Sequence, residues 1–185
     1  MEEKFFRAIA SLHAMMTLDG SAPYRITVVC LGNICRSPIG EAVIRARLEE
    51  AGLTGHVAVD SAGTGDWHIG RGANPRTQDV LDAHGYPHNH TARQITPAWF
   101  SRIDLVIAMD ATNYADLEQM IQRAGATTEL RMMRAFDPDL ADLPEPHPDL
   151  DVPDPYHGGP ADFAEVLRMV ERASGGVVAH AATRR

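Results

Sequence analysis

Ten residues near the start of the chain, VCLGNICRSP at Val29–Pro38, hold both of its cysteines together with a glycine, an asparagine, an arginine and a serine. Cys30 and Arg36 stand in a C-x5-R spacing, with Ser37 immediately after. These residue types suit the capture of a tetrahedral anion. A turn from a strand into a helix aims successive backbone N–H groups inward and adds the positive end of the helix dipole. Gly32 permits unusual backbone angles, and Asn33 is of the non-glycine type most tolerant of the left-handed region. Arg36 can grip two oxygens with its planar fork. Ser37 suits a helix N-cap and Pro38 the first helical position.

Cys30, at the mouth of such a cradle, is placed as a nucleophile. A free thiol is only a few per cent thiolate at neutral pH, and making it mostly ionised takes about 2.7 kcal/mol. A helix dipole supplies roughly 0.3–1 kcal/mol, about 2 when partly buried, which falls short. Hydrogen bonds from the loop amides and the Ser37 hydroxyl, with the charge of Arg36, supply the remainder. The bland alternative is a buried strand-end thiol over an ordinary turn; a lone cysteine would fit that, and this clustered set does not.

The elements around the loop must position it. Arg25–Cys30 reads as a strand and Ser37–Ala51 as a helix closed by Gly52. A second strand starts at His56 and runs into a Gly-containing loop; a helix covers about Pro75–His84, and TPAWF at Thr96–Phe100 is a single capped turn. Asp104–Asp110 is a buried run of the parallel-sheet type, ATNYADLEQMIQRAG an amphipathic helix and ELRMM a fourth short strand. Between Asp137 and Pro160 lie seven of the twelve prolines, so this segment is neither helix nor central strand, and long loops of this kind are functional or mobile. A last helix is expected from Ala161 to about Ser174, with a second part after Gly175–Gly176. Strands alternating with helices imply an α/β, three-layer fold, a four-stranded parallel sheet flanked by helices, with its ligand at the carboxyl ends of the strands. The loop after the first strand is therefore the place to look.

Composition narrows the classes. At 185 residues the chain is long enough for one full α/β core, and its charge of −8, without a basic run, argues against a nucleic-acid binder while leaving room for a local phosphate pocket. Two cysteines cannot staple a domain of this size, and they fit a reducing, cytoplasmic setting. C-x4-C without further ligands nearby is a poor zinc site, so no metal and no cofactor is expected. No apolar run reaches the ~20 residues that span a bilayer, so no membrane partner is expected. Residues 1–24 form an N-terminal extension, helical or disordered, with 25–185 as the folded domain. The opening MEEKFFRAIASLHAMM has helical apolar spacing, but its charges make it a poor signal peptide.

VCLGNICRSP, with DSAGT, ARQI, AMD and DPY following in that order, resembles the low-molecular-weight protein tyrosine phosphatases over about Arg25–Ala179. The resemblance implies the four-stranded parallel sheet and a protein tyrosine phosphatase, monomeric and acting on tyrosine-phosphorylated protein. It implies that Cys30 attacks phosphorus and forms a phosphocysteine intermediate. Leu31, Gly32, Asn33, Ile34, Cys35 and Arg36 then hold the phosphate oxygens. The proline-rich segment offers Asp137, Asp139, Asp142, Asp149, Asp151 and Asp154, among which spacing cannot choose. The resemblance assigns Asp154 as the general acid that protonates the leaving phenolate and later serves as base.

By the same resemblance Asn33, Ser37, Ser61 and His90 brace the loop, and Trp67 and Tyr156 wall a pocket deep enough for phosphotyrosine. Leu31 and Ile34 fall on its rim, and Ile34 stands where the family's arginine phosphatases carry a threonine. Cys35 could trap an oxidised Cys30 as a disulfide. The chain departs from the pattern at His157, where many members have a second tyrosine. Of the alternatives, arsenate reductase needs a third thiol, a phosphate sensor without turnover should have lost Cys30, Arg36 or Asp154, and a nucleotide P-loop needs a GK[ST] that is absent. Phosphoarginine hydrolysis is disfavoured by Ile34.

Overall fold

A computed structural model describes residues 23–184 of the protein, so the expectation for the N-terminal extension lies, apart from Pro23 and Tyr24, outside the described residues. Four parallel strands, β1 (Tyr24–Cys30), β2 (Val57–Gly63), β3 (Leu105–Ala108) and β4 (Glu129–Met132), form one sheet in the order β2-β1-β3-β4. Four helices connect and flank them: α1 (Arg36–Glu50), α2 (Pro75–Ala83), α3 (Ala111–Ala124) and α4 (Pro160–Ala182). Short 3-10 turns occupy Pro97–Arg102, Met133–Phe136 and Pro148–Leu150.

The sheet is covered on both faces, and strand alternation sorts the residues between them. Ile26 and Val28 of β1 with Leu105 and Ile107 of β3 face the core built by α1 and α4, where Ile39, Ile44, Phe163 and Val170 are buried. Val29, Val106 and Ala108 face the other core, against Leu117 of α3 and Phe100 of the 3-10 turn. The three-layer expectation holds. β1 lies centrally, paired through its full length with β2 and over Ile26–Val29 with β3. Its carboxyl end therefore sits between neighbours that can supply side chains from both sides.

Three local readings need correction. α1 begins at Arg36 with Cys35 in the capping position and no side-chain cap, so Ser37 lies inside the first turn and its hydroxyl is free for other work. α4 does not break at Gly175–Gly176 but runs through both. A Cβ on Gly176 would overlap the carbonyl of Phe136, while one on Gly175 would meet nothing within 4 Å. Gly176 is thus a point of close approach, and the pair is no helix breaker. Tyr24, assigned to the extension, heads β1 and donates its N–H to His56 O at 2.8 Å.

The proline-rich segment is anchored. Leu150 and Val152 are fully buried. Arg172 of α4 forks onto Asp137 at 2.9 and 3.0 Å, and Arg134 donates to Asp149 O at 2.7 Å. Val152 N–H donates to Met109 O at 2.8 Å, which fixes the following residues over the end of β3.

Candidate active site

Cys30 ends β1 and is 2% exposed. From there the chain loops through Leu31–Cys35 into α1, and its hydrogen bonding is one-sided. The carbonyls of Cys30, Leu31 and Ile34 accept from Thr64, Gly65 and Asn74 N–H at 3.0, 2.9 and 2.8 Å. The Asn33 carbonyl accepts from His90 Nε2 at 2.6 Å, and that of Cys35 from Thr77 Oγ1 at 3.4 Å. No N–H from Leu31 to Cys35 finds an acceptor among the described residues. A loop whose carbonyls are tied outward and whose N–H groups are unspent is an anion cradle.

Asn33 takes the left-handed conformation anticipated for it, φ 54°, and is the one non-glycine residue with positive φ among those described. Gly32 does not have positive φ; its need is space, since a Cβ would come within 3.0 Å of the His68 ring. Gly63 serves likewise at the end of β2, where a Cβ would meet Leu31 O at 2.7 Å.

The bracing set converges on Asn33. Its amide donates to Ser37 Oγ at 2.8 Å and Ser61 Oγ at 2.9 Å, and its oxygen accepts from Arg93 N–H at 2.8 Å. Because Asn33 spends both amide protons there, each serine hydroxyl is left free to donate onward. Ser61 gives its proton to Glu41 at 2.5 Å. Ser37 faces Cys30 Sγ at 3.1 Å, with Ala62 O a longer alternative at 3.4 Å. A thiolate cannot donate, so the ionised form of Cys30 receives the Ser37 proton. His90 must carry a proton on Nε2 to donate to Asn33. Burial lowers its proton affinity below the ordinary histidine value, against opposing contributions from the Asn33 hydrogen bond and Glu41.

Arg36 is 2% exposed. Its Nη1 donates to Asp110 Oδ2 at 2.5 Å and Val152 O at 3.1 Å, its Nη2 donates to Asp154 Oδ2 at 2.6 Å, and its Nε has no partner among the described residues. Burial works to weaken its proton affinity, but the negative charges of Cys30, Asp154 and Asp110 outweigh it and the guanidinium is held more firmly charged. Cys35, also a free thiol, is pushed up to about 12, first by burial and then by the charge of Cys30.

A cavity of about 450 Å³ opens over the loop and brings together Cys30, Ile34, Arg36, Trp67, Asp154 and Tyr156. Asp154 is the one carboxylate of the six candidates that lines it. Its Oδ1 accepts from Tyr156 N–H at 3.1 Å, which turns the other oxygen toward Arg36. A larger cavity of about 860 Å³, lined by Arg25, Phe100, Arg102 and Thr128 among others, contains neither cysteine.

Four further residues at or behind this site had no assigned role in the sequence. Asp110 orients Arg36 while its Oδ1 caps α3 through Asn113 N–H at 2.6 Å. Glu41 closes the Ser61–His90 network, and Arg93 reaches Asn33 through its backbone. His68 lines the cavity against Tyr156, ring centroids 6.3 Å apart. Asp110 and Arg93 carried a signal, since they lie in the AMD and ARQI motifs.

The family profile for low molecular weight phosphotyrosine protein phosphatase matches residues 25–184. A low molecular weight protein-tyrosine-phosphatase of Streptomyces coelicolor is 52% identical over 84% of this chain and 92% of its own length. Among solved structures, a protein tyrosine phosphatase from Entamoeba histolytica superimposes with a TM-score of 0.76 at 31% identity, covering 87% of this chain and 98% of that one. A drosophila arginine phosphatase gives 0.75 at 27% identity, covering 85% and 96%. With a profile match over nearly the whole of the described residues and a relative 52% identical, the chain belongs to the low molecular weight protein-tyrosine-phosphatase family.

Proposed function

We propose that this protein hydrolyses phosphotyrosine in proteins through a phosphocysteine intermediate. The observation that carries the reading is the convergence of Cys30, Arg36 and Asp154 on one cavity floored by a loop with unspent N–H groups. Cys30 Sγ attacks phosphorus opposite the leaving phenolate, with the Ser37 hydroxyl donating to it beforehand. The loop N–H groups and Arg36, including its unpartnered Nε, hold the equatorial oxygens where charge must be stabilised. Binding of the phosphate competes with Asp154 for Arg36. The freed Asp154 carboxylate takes up a proton as the substrate binds and gives it to the leaving oxygen; the carboxylate so restored then takes a proton from the water that hydrolyses the intermediate. Trp67 and Tyr156 flank the ring.

Phosphoarginine hydrolysis is the second reading, on account of the likeness to an arginine phosphatase fold. Ile34 speaks against it, since its apolar side chain on the cavity wall offers nothing to a guanidinium. Turnover of phosphotyrosine, phosphoserine and phosphoarginine peptides in the presence of a chelator separates the readings. Phosphotyrosine alone should be cleaved; phosphoarginine cleaved faster would replace this reading with the second.

The same reading takes Cys35 as the redox partner of Cys30, in a reducing, cytoplasmic setting and on a monomer. A Cys30 sulfenic acid would condense with the Cys35 thiol, forming the disulfide and releasing water. A Cys35→Ser enzyme should regain less activity than the parent after peroxide followed by thiol; equal recovery would refute the pairing.

A further inference from the structure

We propose that a groove beside the cavity, between the loop after β2 and one face of α3, binds the residues of a protein substrate that flank its phosphotyrosine. This rests on the phosphatase reading above. The groove has a volume of about 280 Å³ and shares Leu31 and Trp67 with the substrate cavity, so the two are continuous. Leu31 and Trp67 are large apolar side chains left 43% and 65% exposed, and a chain leaving the cavity crosses them to enter the groove. The far wall is Asp116, Met120 and Arg123, one face of α3 at i, i+4 and i+7 spacing. Thr64 and Gly65 line the near wall.

The groove has a direction. Asp110 caps α3 and bonds to Arg36, so α3 starts at the cavity and Asp116 lies nearer to it than Arg123. The Asp116 carboxylate makes no ion pair or hydrogen bond among the described residues, and Arg123 spends one donor on Gln119 at 3.3 Å. Seven helical residues place the two charges about 10 Å apart, the span of roughly three residues of extended peptide. The flank that fits carries a basic residue near the phosphotyrosine, an apolar one against Met120, and an acid about three residues beyond the base.

The test is kcat/KM on p-nitrophenyl phosphate and on matched phosphotyrosine peptides with this charge order or with the two charges exchanged. Each order is placed on the N-terminal and on the C-terminal side. The parent should prefer the stated order by roughly fivefold on one side, as for an exposed ion pair. The Asp116→Lys/Arg123→Glu double variant should lose or reverse that preference with its p-nitrophenyl phosphate rate unchanged. Equal turnover of both orders by the parent, or a preference that survives in the variant, overturns the groove and leaves the phosphatase reading intact. A parent inert toward p-nitrophenyl phosphate and every peptide overturns the phosphatase reading, and the groove with it.

Discussion

Ser37 illustrates how little separates a structural hydroxyl from a functional one. It accepts from Asn33 and faces Cys30, and the proton count leaves it one hydrogen to give. A hydrogen bond to a charged group is worth about 1.5–3 kcal/mol, so Ser37→Ala should lower kcat/KM roughly 10- to 100-fold with the fold retained. Steady-state kinetics beside a circular dichroism spectrum checks this; an unchanged kcat/KM would remove Ser37 from the machinery. His90 makes a prediction of opposite kind, about stability. Its folded-state proton affinity is depressed, so the unfolded chain binds the proton more readily. The associated stability is complete above the ordinary value of 6.5 and falls as pH drops through the window below it. His90→Gln keeps an N–H donor without titrating, so urea unfolding should show it losing less stability than the parent between roughly pH 7 and pH 5. Equal losses would contradict the assignment.

At the scale of elements, the strands and most helices were legible because their apolar periodicities are undisturbed. The exceptions share a cause: a residue whose local preference is overruled by a distant contact. Ser37 looked like a cap because it follows a turn, yet Asn33 and Cys30 recruit it. Gly175–Gly176 looked like a helix break because nothing local shows the Phe136 carbonyl lying against α4. The two glycines should therefore respond oppositely to alanine. Gly175→Ala should stabilise by about 0.4–1 kcal/mol through lost unfolded-state freedom, whereas Gly176→Ala should destabilise by about 1–3 kcal/mol through overpacking. Chemical denaturation of the pair reads both, and similar shifts would show that Gly176 is not tightly packed. The proline-rich segment was correctly read as irregular, but its anchoring by Leu150, Val152 and the Arg172–Asp137 pair needed the tertiary structure.

Over the whole molecule, the site is an assembly of segments far apart in sequence. Arg36 is bonded to carboxylates 74 and 118 residues downstream. The anion loop was legible because its residues are contiguous and its chemistry local. The proposed acid was not legible from spacing, since six aspartates share one segment; the DPY motif pointed to Asp154 by resemblance, and the path of the chain brings it to the cavity. Asp110 escaped notice for the same reason: its partner is distant, and its capping role alone would explain it. Arg36 holds Asp154 and Asp110 together, and Cys30, Arg36 and Asp154 line one cavity.

Passage of the phosphoryl group through Cys30 is tested by acid quenching of the enzyme during turnover of a phosphotyrosine peptide, followed by mass spectrometry of the digested protein. A phosphoryl group is expected on the peptide containing Cys30, more abundant in Asp154→Asn if water attack is slowed more than transfer to the thiol, and absent from Cys30→Ser. Turnover by Cys30→Ser at the parent's rate, or a phosphoryl group on any other residue, would contradict it.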